Sequence, residues 1–140
     1  LTVSNTIITG YDGSDGGKAA LAEAFRLAAD LDGNVVVIFA YEKVVVGGES
    51  HDLDEAVEAI GARVLAEAAE LALAAGVRLQ TEYLEGDAAQ ALATLAEREQ
   101  ARYIVVGGNG ERPLKAWVLG STPNRLLALA DCPVVVVRAT

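Results

Sequence analysis

Two runs in this chain, residues 35–41 (VVVIFAY) and 103–106 (YIVV), are apolar at successive rather than alternate positions. A strand of that kind presents hydrophobic side chains to both sides of its sheet, so both sides must be covered. Parallel sheets flanked by helices meet that demand, and parallel neighbours need long crossovers, usually helical. The intervening segments fit. Residues 6–11 (TIITGY) predict a first strand, closed by the short turn 12–17 (DGSDGG). Residues 18–31 carry Leu21, Phe25, Ala28 and Leu31 at spacings of three and four, one buried face of a helix, which Asp32-Gly33-Asn34 ends. Residues 53–75 predict a long alanine-rich helix with Val57, Ile60, Val64, Leu65, Ala68, Leu71 and Leu73 inward and Gly76 as its stop. Residues 77–84 alternate Val77, Leu79, Thr81 and Tyr83 with Arg78, Gln80 and Glu82, as an edge strand does. Gly86-Asp87 leads into a helix over 88–100 with Leu92 and Leu95 inward, and Val134–Val137 supplies a last strand. The alternation β-α-β-α-β-α-β-α-β predicts an α/β class, a doubly wound five-stranded parallel sheet with helices on both faces. This pattern alone leaves the strand order open. With no internal repeat, low-complexity tract or linker, residues 1–140 are expected to form one domain.

Bulk properties remove several classes of function. A formal net charge of −9 repels nucleic acid and anionic membranes, and an aromatic content of 5 % offers little stacking surface for bases. Cys132 is the single cysteine, which rules out an intrachain disulfide and a thiolate metal cluster. Between a helix end and a strand it reads as a buried, inert thiol. His51, the one histidine, has no second imidazole to share a metal, so no metal site is expected and solvent exposure is its default. It falls in an irregular stretch, 42–52, that contains Gly47-Gly48, and loops of that length are often functional. Glu55, Glu58, Glu67 and Glu70 follow the polar side of the long helix and read as a solvated face. No apolar run approaches a membrane span, and LTVSN lacks the character of a signal peptide. The expectation is a cytoplasmic protein without membrane or nucleic-acid partners. The chain contains no Met, so Leu1 is not expected to be the natural start. The phosphate loop GxxxxGK[ST], the kinase signatures and the GxSxG elbow are all missing.

Chemistry concentrates after the run at 103–106. Gly107, Gly108 and Gly110 follow at once, then nine residues, then Gly120-Ser121-Thr122-Pro123. Thr122 followed by Pro123 predicts a helix start, with a hydroxyl cap and proline at the first helical position. Residues 125–130 carry that helix, and Asp131-Cys132-Pro133 ends it. Glycines after a strand allow a ligand to approach the backbone. A helix N-terminus adds free donors and partial positive charge, so the pair makes an anion site suited to a di- or triphosphate. The plain alternative is a tight turn followed by an ordinary capped helix. Arg112, Lys115 and Arg125, in or beside the loop, either offset the net negative charge there or are simply solvated.

Gly107-x-x-Gly110, nine residues, then Gly120-Ser121 resembles the nucleotide-binding signature of the universal stress protein family. The closing Cys132-Pro133 and Val134–Val137 resemble that family's last strand, and the resemblance covers the whole chain. It implies strand order 3-2-1-4-5 and a ligand site where strands 1 and 4 part, the switch point at which doubly wound sheets hold ligands. It also implies ATP as ligand, with Mg²⁺ as an optional companion of its phosphates. By residue, the phosphates would rest on Gly107, Gly110, Gly120, Ser121 and Thr122. Asp12, after strand 1, would accept from the ribose hydroxyls; the alternative is an Asp-Gly turn residue. Ala40 would lie against adenine, or is plain core. Pro113, Trp117 and Thr122-Pro123 depart from the family's usual residues without removing a signature glycine.

The reading is therefore an ATP-binding regulatory or stress-response module with no catalytic residue assigned. Slow ATP hydrolysis or nucleotidyl transfer on the same cradle is the enzymatic alternative, but no base or in-line activator is evident. A nucleotide-free dimeric interaction protein is a third possibility, against which the intact glycines argue. In the implied order strand 3 protects its edge with Arg78, Gln80 and Glu82. Val134–Val137 has no charge before Arg138, so a homodimer pairing that strand with its own copy is expected; the alternative is that Arg138-Ala139-Thr140 folds over the edge and leaves a monomer.

Overall fold

A computed structural model of the chain describes residues 4–42, 50–108 and 120–138, the side chains of 50–54 excepted. Strands and helices alternate along it: β1 Thr6–Gly10, α1 Asp15–Leu31, β2 Asn34–Tyr41, α2 Ser50–Ala75, β3 Arg78–Glu85, α3 Ala88–Glu99, β4 Tyr103–Gly107, α4 Ser121–Leu129 and β5 Val134–Val137. The strands make one parallel sheet in the order β3-β2-β1-β4-β5. From the central β1 the chain moves outward through β2 to β3, then restarts on the other side of β1 with β4. With right-handed crossovers that reversal sends the helices to opposite faces. Leu21, Phe25 and Ala28 of α1 and Val64, Ala68 and Ala72 of α2 pack on Ile7, Val35, Val37 and Val105. On the other face Leu92 and Leu95 of α3 and Leu126 of α4 pack on Ile8, Val36, Ile38, Ile104 and Val106.

The successive apolar residues of β1, β2 and β4 are thus divided between two cores. Full burial of each large aliphatic side chain contributes about 1.5–3 kcal/mol. Thr9 is the polar exception deep in the sheet, and its hydroxyl donates to the Val105 carbonyl at 2.8 Å. Burial without that bond would cost more than the bond itself returns.

Several boundaries differ from those expected, for identifiable reasons. α1 begins at Asp15 rather than Lys18, because the Ser14 hydroxyl accepts the Gly17 amide and draws Gly16 and Gly17 into the first turn. α2 takes Ser50, His51 and Asp52 from the stretch expected to be irregular; the expected exposure of the His51 side chain lies outside the described residues, as do residues 43–49. β3 is shifted one residue later than expected, in register with β2 from Asn34↔Arg78 to Tyr41↔Glu85. α3 ends at Glu99, with Gln100 in the left-handed region at φ 52°.

The long helix departs most from its apolar pattern. Ile60, Leu71 and Leu73, expected inward, are 44 %, 42 % and 83 % exposed. The buried line runs through Val64, Ala68 and Ala72, four residues apart. Small residues let α2 lie close to the sheet, closest at Gly61. There an added Cβ would stand 2.5 Å from Tyr83 Cε2 and 3.0 Å from Phe39 Cδ1.

Candidate functional site

The C-terminal ends of β1, β2 and β4 lie side by side, and of the sequence-predicted residues Asp12, Ala40 and Gly107 lie at those ends. β1 runs beside β2 with Gly10 opposite Ile38, and the Tyr11 amide continues the ladder to the Ile38 carbonyl at 3.0 Å. Asp12 therefore follows β1 at the level of Ala40, near the end of β2. On its other side, Thr9 pairs with Val105 two residues before Gly107. Gly107 meets the start of α1: a Cβ on it would stand 3.0 Å from the Gly16 carbonyl oxygen, so no larger residue fits without backbone movement.

From Gly107 the chain is held by two backbone hydrogen bonds. The Gly108 amide donates to the Val137 carbonyl at 2.9 Å, and the Gly120 amide donates to the Gly108 carbonyl at 2.6 Å. The second bond closes the segment 109–119 at its base and sets the N-terminus of α4 against the end of β4. Gly110, Arg112, Pro113, Lys115 and Trp117 lie in that segment, outside the described residues.

Gly120, not Thr122, is the residue that caps α4. Its carbonyl accepts the Asn124 amide at 3.3 Å, the first helical bond, so Ser121 and Thr122 are the first two helical residues and Pro123 the third. Proline is tolerated there because the amides of a first turn have no partner within the helix. Gly120 has no side chain with which to cap, and among the described residues no side-chain hydrogen bond caps this helix. α1 and α3 differ: Ser14 accepts the Gly17 amide at 3.1 Å, and Asp87 accepts the Gln90 amide at 3.0 Å. The α4 N-terminus carries the partial positive charge of a helix start. Ser121 is exposed and Thr122 half-buried. Arg125, expected to be a source of local positive charge or else solvated, is exposed but forms an ion pair with Asp87.

Asp12 is exposed, and its Oδ1 accepts the Ser14 amide at 2.9 Å. The Asp-Gly turn expected as the alternative is thus present, with Gly13 at φ 86°, where a side chain is strained. One oxygen is used in the turn; the geometry leaves Oδ2 as a second acceptor. Ala40 is half-buried, level with Leu84 of β3, and packs against the α3/α4 core. Cys132 is half-buried, and burial chiefly pushes its thiol above the ordinary range, as suits an unreactive cysteine.

Sequence reasoning missed one pair here. Tyr11 is 2 % exposed, and its hydroxyl donates to Glu67 Oε1 of α2 at 2.7 Å. Glu67 is therefore not part of a merely solvated face. Burial first, then the Glu67 hydrogen bond and the charges of Glu67 and Asp12, hold the Tyr11 phenol well above its ordinary range. It remains a donor at any physiological pH. The available signal was Glu67 lying three residues after the inward Val64, on the flank of the buried stripe.

A five-stranded parallel sheet in this order, with a glycine turn after β4 set against a helix N-terminus at the switch point, defines a doubly wound α/β domain. The family model described as the universal stress protein family matches residues 4–138, and the chain belongs to that family. It is 32 % identical over 137 residues to a universal stress protein of Methanocaldococcus jannaschii, covering 94 % of this chain and 81 % of that one. It is 31 % identical over 146 residues to one of Bacillus subtilis, covering 96 % and 99 %. Among solved structures, a universal stress protein in complex with cAMP superposes with a TM-score of 0.75 at 26 % identity, covering 99 % of this chain and 100 % of that one. Among the described residues no helix is long and apolar enough to cross a membrane.

Proposed function

We propose that this chain binds an adenine nucleotide, ATP, at the ends of β1, β2 and β4, and serves as a nucleotide-responsive regulatory module in a stress response. The observation that carries the reading is the 2.6 Å bond from the Gly120 amide to the Gly108 carbonyl. It joins a glycine turn to a helix N-terminus whose cap residue, Gly120, has no side chain to offer, and a polyphosphate is the natural complement of donors at such a terminus. Gly107, Gly108 and Gly120 give close access to the backbone; Ser121 and Thr122 add hydroxyls. The Gly110 contact and the accompanying Mg²⁺ extend the same reading. Asp12 accepts from the ribose through Oδ2, and Ala40 lines the adenine. The relative in complex with cAMP supports an adenine nucleotide as the ligand class.

The assembly belongs to the same reading. Among the described residues β5 pairs with β4 alone, and its four valines are half-buried. A two-fold axis beside it would join β5 to its copy and cover both edges, giving a homodimer.

Nucleotide retained through purification tests the reading. The denatured protein should release ATP or its hydrolysis product, identified by mass spectrometry. A preparation that releases none, and that also binds no added ATP, overturns it.

A further inference from the structure

Between β1 and α1, helix α2 grips the chain on both sides of Asp12. Before it, the buried Tyr11 hydroxyl donates to Glu67 at 2.7 Å. After it, Val64, one turn earlier on α2, stands with Cγ2 3.7 Å from the position of a Cβ on Gly13. Glu67 also lies 3.8 Å from Lys18 Nζ, in the first turn of α1. The exposed Asp12 carboxylate is steered within the turn by the Ser14 amide at 2.9 Å. Gly13 beside it, at φ 86°, is the position with the widest conformational freedom. An exposed acceptor on such a turn recognises a ligand only if the backbone carrying it is fixed, since ordering it at the moment of binding subtracts from affinity. Nothing in the nucleotide contacts requires a buried phenol after β1 paired with a half-exposed carboxylate on helix α2. Apolar packing alone would have held the Tyr11 ring.

We infer that Tyr11 and Glu67 are positioning residues for Asp12, a hydrogen-bonded clasp from α2 that fixes the β1–α1 turn in the orientation that meets the ribose. The inference rests on the ribose role proposed above for Asp12. A single buried hydrogen bond acting through one contact should alter ATP affinity about three- to tenfold.

The test is calorimetric titration of ATP into Tyr11→Phe, Glu67→Ala and Glu67→Gln, each with and without Asp12→Ala. Tyr11→Phe keeps the ring and its packing, and Glu67→Gln keeps an acceptor oxygen, so both should fold. Tyr11→Phe and Glu67→Ala should weaken ATP three- to tenfold, while Glu67→Gln stays close to the unmodified protein. In the Asp12→Ala background the effect of Tyr11→Phe should vanish, the non-additivity expected of residues acting through a common contact. If Asp12→Ala weakens ATP but the Tyr11→Phe loss persists beside it, or if neither clasp variant alters affinity, the clasp is overturned while the ribose role stands. If Asp12→Ala leaves ATP binding unchanged, the ribose role falls and the clasp falls with it.

Discussion

Asp12 has one oxygen committed to its own turn and one available, so its two expected roles are compatible rather than exclusive. Removing the carboxylate should cost a ligand that carries a ribose and spare one that does not. Asp12→Ala is expected to weaken ATP roughly ten- to a hundredfold, the range for a hydrogen bond to a charged group, and to change inorganic tripolyphosphate little. Equal losses for both ligands in calorimetry would make Asp12 a structural turn residue. Tyr11 carries a prediction of a different kind. Its phenol is raised in the folded state above the ordinary tyrosine value of about 10. The stability it contributes is therefore complete below that pH and is lost as pH rises beyond it, because the unfolded chain gives up the proton first. Tyr11→Phe should flatten the alkaline limb of a thermal-stability profile above pH 10 and leave its shape near neutrality unchanged. An identical alkaline limb in the two proteins would contradict the buried donor.

The strands were legible because their chemistry is unambiguous: runs such as 35–41, apolar at successive positions, have few uses besides a strand covered on both faces. The helix ends were less so. Thr122-Pro123 looked like a cap and first residue, but main-chain geometry decides a helix start. Gly120, fixed by its bond to Gly108, starts α4 two residues earlier. Helix α2 was harder still. In an alanine-rich helix several faces carry aliphatic residues, so the pattern did not single out Val64, Ala68 and Ala72 from Ile60, Leu71 and Leu73. What decided the face was the fit between α2 and the rings below it. Tyr83 is stacked between Phe39, 5.7 Å away, and Tyr41, 4.3 Å away, and Gly61 lies against that stack. Gly61→Ala should gain up to about 1 kcal/mol in helix propensity but lose about 1–3 kcal/mol to overpacking against a ring with neighbours on both sides. A net loss of about 1 kcal/mol in urea unfolding is expected. A stabilised variant would mean that α2 docks less closely than described.

At the scale of the molecule, the order β3-β2-β1-β4-β5 makes both the site and the free edges. Alternation of elements alone did not yield that order; the resemblance of the glycine motif did, and the strand register agrees with it. The same order leaves β3 and β5 outermost. On β3, Glu82 pairs with Arg98 of α3 at 2.6 Å, and Arg78 and Gln80 are exposed. Charge along that edge disfavours pairing with another chain. The strand β5, Val134–Val137, carries no charged residue of its own. The paired substitutions Val135→Lys and Val137→Lys should yield a folded monomer in light scattering where the unmodified protein runs as a dimer. An unmodified protein already monomeric at micromolar concentration would refute the β5 interface.

Gly108 and Gly120 bring a glycine turn and a helix start together, the pair proposed above as a nucleotide cradle. Gly120→Val tests it with little confusion from folding. At φ −62° and ψ 170°, Gly120 has a backbone conformation that valine also adopts, so the substitution strains no backbone angle, and circular dichroism of the variant checks that it folds. Calorimetric titration with ATP should show binding by the unmodified protein and at least a tenfold weaker affinity in Gly120→Val, about 1.4 kcal/mol. Equal affinities in the two proteins, or no binding by the unmodified one, would contradict the cradle.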